Sequence, residues 1–194
     1  MKRTFFGAVV LVFLLAVVFA LLLPAKEMLV LPAWVSVSDV FMYKVDEEEA
    51  TIIGYLGDEA EITIPTEVGG YPVACVTLWA SIDWFTPVGT KTKVEHFFFD
   101  RAKLVKVTVP EGVKHVSFAR YFNLMRVDLP SSLQSISAFA FFDCTSLQSV
   151  YFEGNAPQLS RDASWGPAEG FTIYHRKGTT GWTYFWNGYR TKVY

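Results

Sequence analysis

Three pairs of polar side chains recur along the chain where they can act together: Lys106 with Thr108, Arg126 with Asp128, and Ser149 with Tyr151. Each pair straddles one valine (Val107, Val127 or Val150), so in an extended chain both members leave the same face. Lys106 next to Arg126, flanked by Asp128 and Tyr151, can meet a carboxylate or a sugar. A second set stands near the end, where Trp165, Trp182, Tyr184, Phe185, Trp186 and Tyr189 have Asn187 and Arg190 as polar neighbours. Trp182 and Trp186, four residues apart, can stack on sugar rings or seal one packed turn. Catalytic chemistry has no comparable support. His96, His115 and His175 lie far apart without Cys, Asp or Glu at ligand spacing, so no metal site is legible. The chain has no Gly-x-Ser-x-Gly, no phosphate-binding glycine loop and no Cys–His spacing that marks a nucleophile. The acidic run Asp46-Glu47-Glu48-Glu49 lacks the Asp-x-Asp-x-Asp-Gly spacing of a calcium loop and reads as a solvated turn. The sequence implies no catalytic residue, no metal and no cofactor.

The three pairs are positioned by a repeated phrase. Leu104-Val105-Lys106-Val107-Thr108-Val109-Pro110 is answered by Leu124-Met125-Arg126-Val127-Asp128-Leu129-Pro130, then by Leu147-Gln148-Ser149-Val150-Tyr151-Phe152. The leucines are 20 and 23 residues apart, and six residues before each stands a phenylalanine: Phe98, Phe118 and Phe141. Val113 and Val116 follow the first leucine at the same distances as Leu133 and Ile136 follow the second. A period of this length predicts a solenoid of stacked coils, each too small to bury its own apolar face. In each coil the alternation predicts a strand, and the proline ends it by removing a ladder donor. Successive strands then form a parallel sheet on one side, with the phenylalanines in a column on the other. Ile62-Thr63-Ile64-Pro65 matches the same phrase, and Pro65, Pro87, Pro110 and Pro130 fall at spacings of 22, 23 and 20. Ser81–Pro87 reads as a worn repeat, with Trp84 in the valine slot and Ser81 in the leucine slot. Outward positions thus also include Thr63, Ile82, Asp83 and Phe85, and residues 76–97 form the least regular part.

The 194 residues suffice for one sizeable domain and a leader, and at 52% hydrophobic the chain is too apolar to be disordered. Net charge is −2; without the first 25 residues 15 basic face 19 acidic side chains, which argues against a nucleic-acid footprint, since that needs a basic face. Two cysteines, Cys75 and Cys144, do not make a disulfide scaffold. After Lys2 and Arg3, residues 5–23 carry no charge over nineteen positions. They read as a membrane-inserting segment, either an uncleaved signal anchor or a signal peptide cut after Ala25. Either fate places residues 26–194 outside the cytoplasm, secreted or held to the membrane through residues 5–23. Residues 26–40 are expected as a spacer, with Trp34 at the membrane interface or on the domain edge. Phe41–Val45 and Ala50–Tyr55 read as a β-hairpin that caps the stack, residues 41–155 as cap and solenoid, and 156–194 as an aromatic C-terminal cap.

Leu124–Pro130, Ile136, Ala140-Phe141-Phe142-Asp143-Cys144-Thr145-Ser146-Leu147 and Val150 resemble the BspA-type leucine-rich repeat, also called the TpLRR class. The family pattern is approximately Leu-x-x-Val-x-Ile-Pro-x-x-Val-x-x-Ile-x-x-x-Ala-Phe-x-x-Cys, and the repeat beginning at Leu124 follows it nearly throughout. Gly70-Tyr71-Pro72-Val73 resembles the usual opening of such arrays. Val150–Pro157, Ile173-Tyr174 and Gly178-Thr179-Thr180-Gly181-Trp182 resemble their usual end. The resemblance covers about 41–194 and is weakest over 76–97, where Cys75 falls in a worn unit; Arg101 and Tyr121 stand in place of the family cysteine. It implies that Cys144 is a buried structural cysteine. It also implies a β-rich solenoid exported or held at a cell surface as a non-catalytic binding module for adhesion or for protein or matrix recognition. Two further roles are open: an envelope assembly partner, and a lectin-like cap using Trp182 and Trp186. The expected partner is a protein or glycan outside the cytoplasm, not a nucleic acid.

Overall fold

The computed structural model describes residue 33 and residues 35–79, 103–160 and 165–194. The compact unit they belong to begins at Ala33. The chain enters it as antiparallel strands: β1 (Ser36–Ser38) pairs with β2 (Phe41–Asp46), and β2 with β3 (Glu49–Tyr55). Glu47 and Glu48 turn the hairpin with positive φ of 48° and 67°, the left-handed pair whose twist matches that of the flanking strands. The acidic run is therefore a hairpin turn with its side chains in solvent. β1 falls within the stretch expected as spacer, so the sheet starts before Phe41.

Each coil then supplies one strand to each of two sheets. The first contains β4 (Glu61–Thr63), β5 (Glu67–Val68) and β6 (Tyr71–Trp79), and the second β7 (Lys106–Thr108) and β8 (His115–Ala119). The third contains β9 (Arg126–Leu129) and β10 (Ser135–Ile136), and the fourth β11 (Ser149–Phe152) and β12 (Gln158–Leu159). β13 (Thr172–His175) and the hairpin of β14 (Phe185–Trp186) with β15 (Tyr189–Val193) close the C-terminal end. One sheet runs β1-β2-β3-β6-β8-β10-β12 and the other β4-β7-β9-β11-β13-β15-β14, with parallel pairing between coils.

Two features differ from the sequence expectation. The side opposite the valine strands is a second parallel sheet, in which Val76, Val116 and Ile136 stand in register. And β4 pairs directly with β7, Ile62 opposite Val107, while β6 pairs directly with β8. The expected worn strand at Ser81–Pro87 lies outside the described residues. Ile62-Thr63 of the first coil stands in register with the matching Val107-Thr108 of the second.

The two sheets close on one core. Val107, Val127, Val150 and Ile173 form a column with no exposed surface, and Val76, Leu78, Phe118 and Ile136 back it from the other sheet. Each such side chain contributes about 1.5–3 kcal/mol by leaving water. Phe118 and Phe141 stack with centroids 5.9 Å apart, and Trp165 meets Phe141 edge-on at 4.8 Å. Phe98 lies outside the described residues. Cys144 is buried and its thiol donates to the Phe118 carbonyl at 2.9 Å. Tyr121 occupies the equivalent place one coil earlier: the Leu124 amide donates to the Tyr121 carbonyl as the Leu147 amide donates to that of Cys144. No helix among the described residues is long and apolar enough to cross a membrane; residues 5–23 lie outside them.

Candidate functional site

Parallel pairing converts the polar positions of separate strands into rows. Lys106 stands opposite Arg126 and Arg126 opposite Ser149; Thr108 stands opposite Asp128 and Asp128 opposite Tyr151. The six residues singled out from the sequence thus occupy one patch on the outer face of the β4–β14 sheet. The rows continue beyond them. Glu61 precedes Lys106 and Thr63 precedes Thr108, while Ser149 is followed by Thr172 and Arg190, and Tyr151 by Tyr174 and Lys192.

Within the patch Asp128 is the hub. Its carboxylate accepts the Arg126 Nε–H at 2.7 Å and lies 3.7 Å from Lys106 Nζ, which also approaches Glu61 at 4.0 Å. The hydrogen bond to Asp128 holds the Arg126 guanidinium above its ordinary pKa, and partial burial opposes the shift. The guanidinium carbon sits 3.9 Å from the centroid of the Tyr151 ring. Tyr174 stacks on Tyr151 at 4.6 Å with only 7° between the planes, and Lys192 Nζ stands 6.0 Å from the Tyr174 centroid. Tyr194 meets Tyr151 edge-on at 5.3 Å, and its hydroxyl donates to Glu153, which also pairs with Arg176 at 2.8 Å. Burial, reinforced by the bond to Glu153, pushes the Tyr194 phenol up to about 12.

Beside this ladder runs a shallow groove of about 380 Å³ between the sheet face and the turns, lined by Thr108, Glu111, Arg126, Asp128, Tyr151, Glu153 and Tyr194 among others. Glu111 is tied down by the Ser131 and Ser132 amides at 2.8 and 3.1 Å. Burial works against its charge, but those bonds leave its carboxyl below the usual range. The arrangement offers fixed charges, tyrosine edges and hydroxyls on a rigid sheet.

Trp182 and Trp186 are placed differently. Trp182 lies flat on His175 at 5.1 Å, packs against Phe152 at 4.8 Å and donates its indole N–H to the Gly154 carbonyl. Trp186 touches Phe152, Trp165 and Trp182. Both seal the last coil. The most exposed rings of this end are Tyr184 at 62% and Phe185 at 59%, with Arg190 bonded to the Tyr184 hydroxyl at 2.6 Å.

A row that spacing did not reveal lies on the opposite sheet, where Cys75 stands opposite His115 and His115 opposite Ser135. The imidazole Nδ1 is 2.6 Å from the Ser135 hydroxyl, but the contact of the Cys75 sulfur is Thr77 Oγ1 at 3.6 Å. A nucleophile needs a hydrogen bond to its base, and Cys75 has none to His115, whose imidazole is turned to the Ser135 hydroxyl. Among the described residues no group of three or more His, Cys, Asp or Glu is placed to hold a metal ion.

Short coils, two parallel sheets and a leucine-valine core define a leucine-rich repeat solenoid that presents a polar sheet face. Comparison with known proteins gives the class of repeat: residues 79–164 match the family described as BspA type leucine-rich repeat region, in 6 copies. A leucine-rich repeat protein from Bacteroides capillosus has a similar fold, at 19% identity and a TM-score of 0.53, over 73% of this chain and 98% of that one. A leucine rich cell surface protein from Faecalibacterium prausnitzii matches at 18% identity and a TM-score of 0.40, over 75% of this chain and 46% of that one. No curated protein sequence matches the chain.

Proposed function

We propose that this chain is an exported, non-catalytic leucine-rich repeat module that recognises another protein outside the cytoplasm, in adhesion or matrix binding. The uncharged run at residues 5–23 supports export and attachment to a membrane. The observation that carries the binding reading is the in-register patch of Lys106, Thr108, Arg126, Asp128, Ser149 and Tyr151, one rigid surface built from three coils. Rigid strands hold such a surface ready, so little ordering cost opposes binding. An envelope assembly partner is a second reading of the same surface, and differs in which protein docks. A glycan-binding cap is less favoured: Trp182 has one face on His175, and both Trp182 and Trp186 pack against Phe152.

The test is binding of the full chain, held in neutral detergent micelles, to a panel of matrix proteins, envelope proteins and glycans. The variant Lys106→Ala, Arg126→Ala, Tyr151→Ala is run beside it. A protein hit lost in the variant supports recognition by the sheet face. A hit that survives, or hits on glycans alone, overturns it.

A further inference from the structure

Resting on the sheet-face reading above, we infer that the partner segment is an extended acidic peptide laid across the strands, with carboxylates four residues apart. The outward rows place four cations, Lys106, Arg126, Arg190 and Lys192, against two carboxylates, Glu61 and Asp128. These strand rows therefore carry a net positive charge on a chain whose net charge is −2, while Glu111 and Glu153 line the groove beside them. The cations stand at two stations. Lys106 and Arg126 are adjacent on β7 and β9; Arg190 and Lys192 are together on β15. The first station is partly neutralised by Asp128, whereas Arg190 and Lys192 form no ion pair among the described residues.

Between the stations lie β11 and β13, whose outward residues here are uncharged: Ser149, Tyr151, Thr172 and Tyr174. From β9 to β15 is three strand spacings, roughly 14 Å, and an extended peptide covers that distance in about four residues. Residues i, i+2 and i+4 of an extended chain face the same way. A carboxylate at i over Arg126 and Lys106 therefore places a carboxylate at i+4 over Arg190 and Lys192, with i+2 above the tyrosine hydroxyls. The ring faces favour a peptide over a sugar. Tyr151 is covered by Arg126 on one side and by Tyr174 on the other, and Lys192 stands over Tyr174. On Tyr151 and Tyr174 the faces on which a sugar ring would stack are thus occupied, and edges, hydroxyls and guanidinium nitrogens remain.

The probe is a fluorescent Ser/Thr peptide with two glutamates four residues apart, titrated by anisotropy against the full chain in neutral micelles at low salt. Arg190→Gln with Lys192→Gln should weaken it about tenfold, the sum of two exposed charge pairs. A peptide with glutamates three apart, which point to opposite faces, should bind no better than one with a single glutamate. Raised salt should weaken the matched peptide most. Equal binding by both spacings, or no effect of the double variant, overturns the inference, as does retention of an acidic polysaccharide with no peptide binding. If a panel protein binds and is lost in the Lys106, Arg126, Tyr151 variant while no acidic peptide binds, only the partner chemistry falls. If that panel binding survives the variant, the face reading falls with it.

Discussion

The guanidinium of Arg126 lies on the ring of Tyr151, its central carbon 3.9 Å from the ring centroid, while its Nε–H is committed to Asp128 one residue row away. Two adjacent coils are joined by this contact on their outer surface, where no apolar core reaches. Tyr174 extends the join to the next strand by stacking on the far side of Tyr151. The surface that is proposed to bind is thus also a strap across β9, β11 and β13.

Truncation of Tyr151 tests the strap. Tyr151→Ala removes a ring stack and a cation–π contact, which together are expected to destabilise the fold by about 1–2 kcal/mol. Tyr151→Phe keeps both and should lie within about 0.5 kcal/mol of the parent. Urea unfolding followed by tryptophan fluorescence separates the two. Equal loss in both variants would move the role from the ring to the hydroxyl.

Gly154 sets how closely the fourth coil approaches the third. A Cβ built there would stand 2.7 Å from the Ser131 carbonyl oxygen and 2.8 Å from its Cα, both backbone atoms that cannot swing away. Gly154→Ala is expected to cost about 1–3 kcal/mol through overpacking. Gly112→Ala is the informative contrast: there the new methyl meets nothing within 4 Å, but the φ of 99° is strained for any L side chain. Thermal melts of both variants measure steric and conformational penalties in one protein. A Gly154→Ala protein as stable as the parent would mean that the coils part easily.

Much of this architecture is legible in the sequence because its core is written in a fixed phrase. Val107, Val127 and Val150 recur behind a leucine, and the polar residues on either side of each valine are the ones that share the outer face. The rest is hidden for identifiable reasons. In β15 the valine slot is Thr191, whose hydroxyl turns away to the Thr183 carbonyl at 2.6 Å, so Arg190 and Lys192 do not look like outward strand positions. The second sheet escapes because β10 and β12 are two residues long, too short for alternation to register. The Cys75–His115–Ser135 row is invisible because β6 and β8 are neighbours in space across a stretch with no clear phrase.

The aromatic cap separates residues by role. Trp182 packs on Phe152, His175 and Trp186, so Trp182→Ala should destabilise by about 2–4 kcal/mol, at or below the usual cost of emptying a tryptophan site. Tyr184, 62% exposed, has little packing to lose, and Tyr184→Ala should change stability by less than about 0.5 kcal/mol. Chemical denaturation decides between them. A Trp182→Ala protein of unchanged stability would reopen the indole as a surface for ligands.

Cys144 links the core to pH. Burial pushes its thiol from 9.0 up to about 12, despite the nearby backbone, because a thiolate there would lose its water. The folded state therefore holds its proton over the interval in which the unfolded chain releases it. Stability from this site is fully present below pH 9 and declines as pH rises through about 12. Tyr55 and Tyr194, raised to about 12 from 10.0 chiefly by burial, act in the same direction over the upper part of that window. Urea midpoints should fall between pH 9 and 11, and Cys144→Ala should show a shallower decline than the parent. At neutral pH an aromatic disulfide reagent should label Cys75 in the folded protein while Cys144 reacts only after denaturant is added, since its sulfur is buried and its S–H donates to the Phe118 carbonyl. Rapid labelling of both thiols without denaturant would show that the third and fourth coils open readily at their aromatic side.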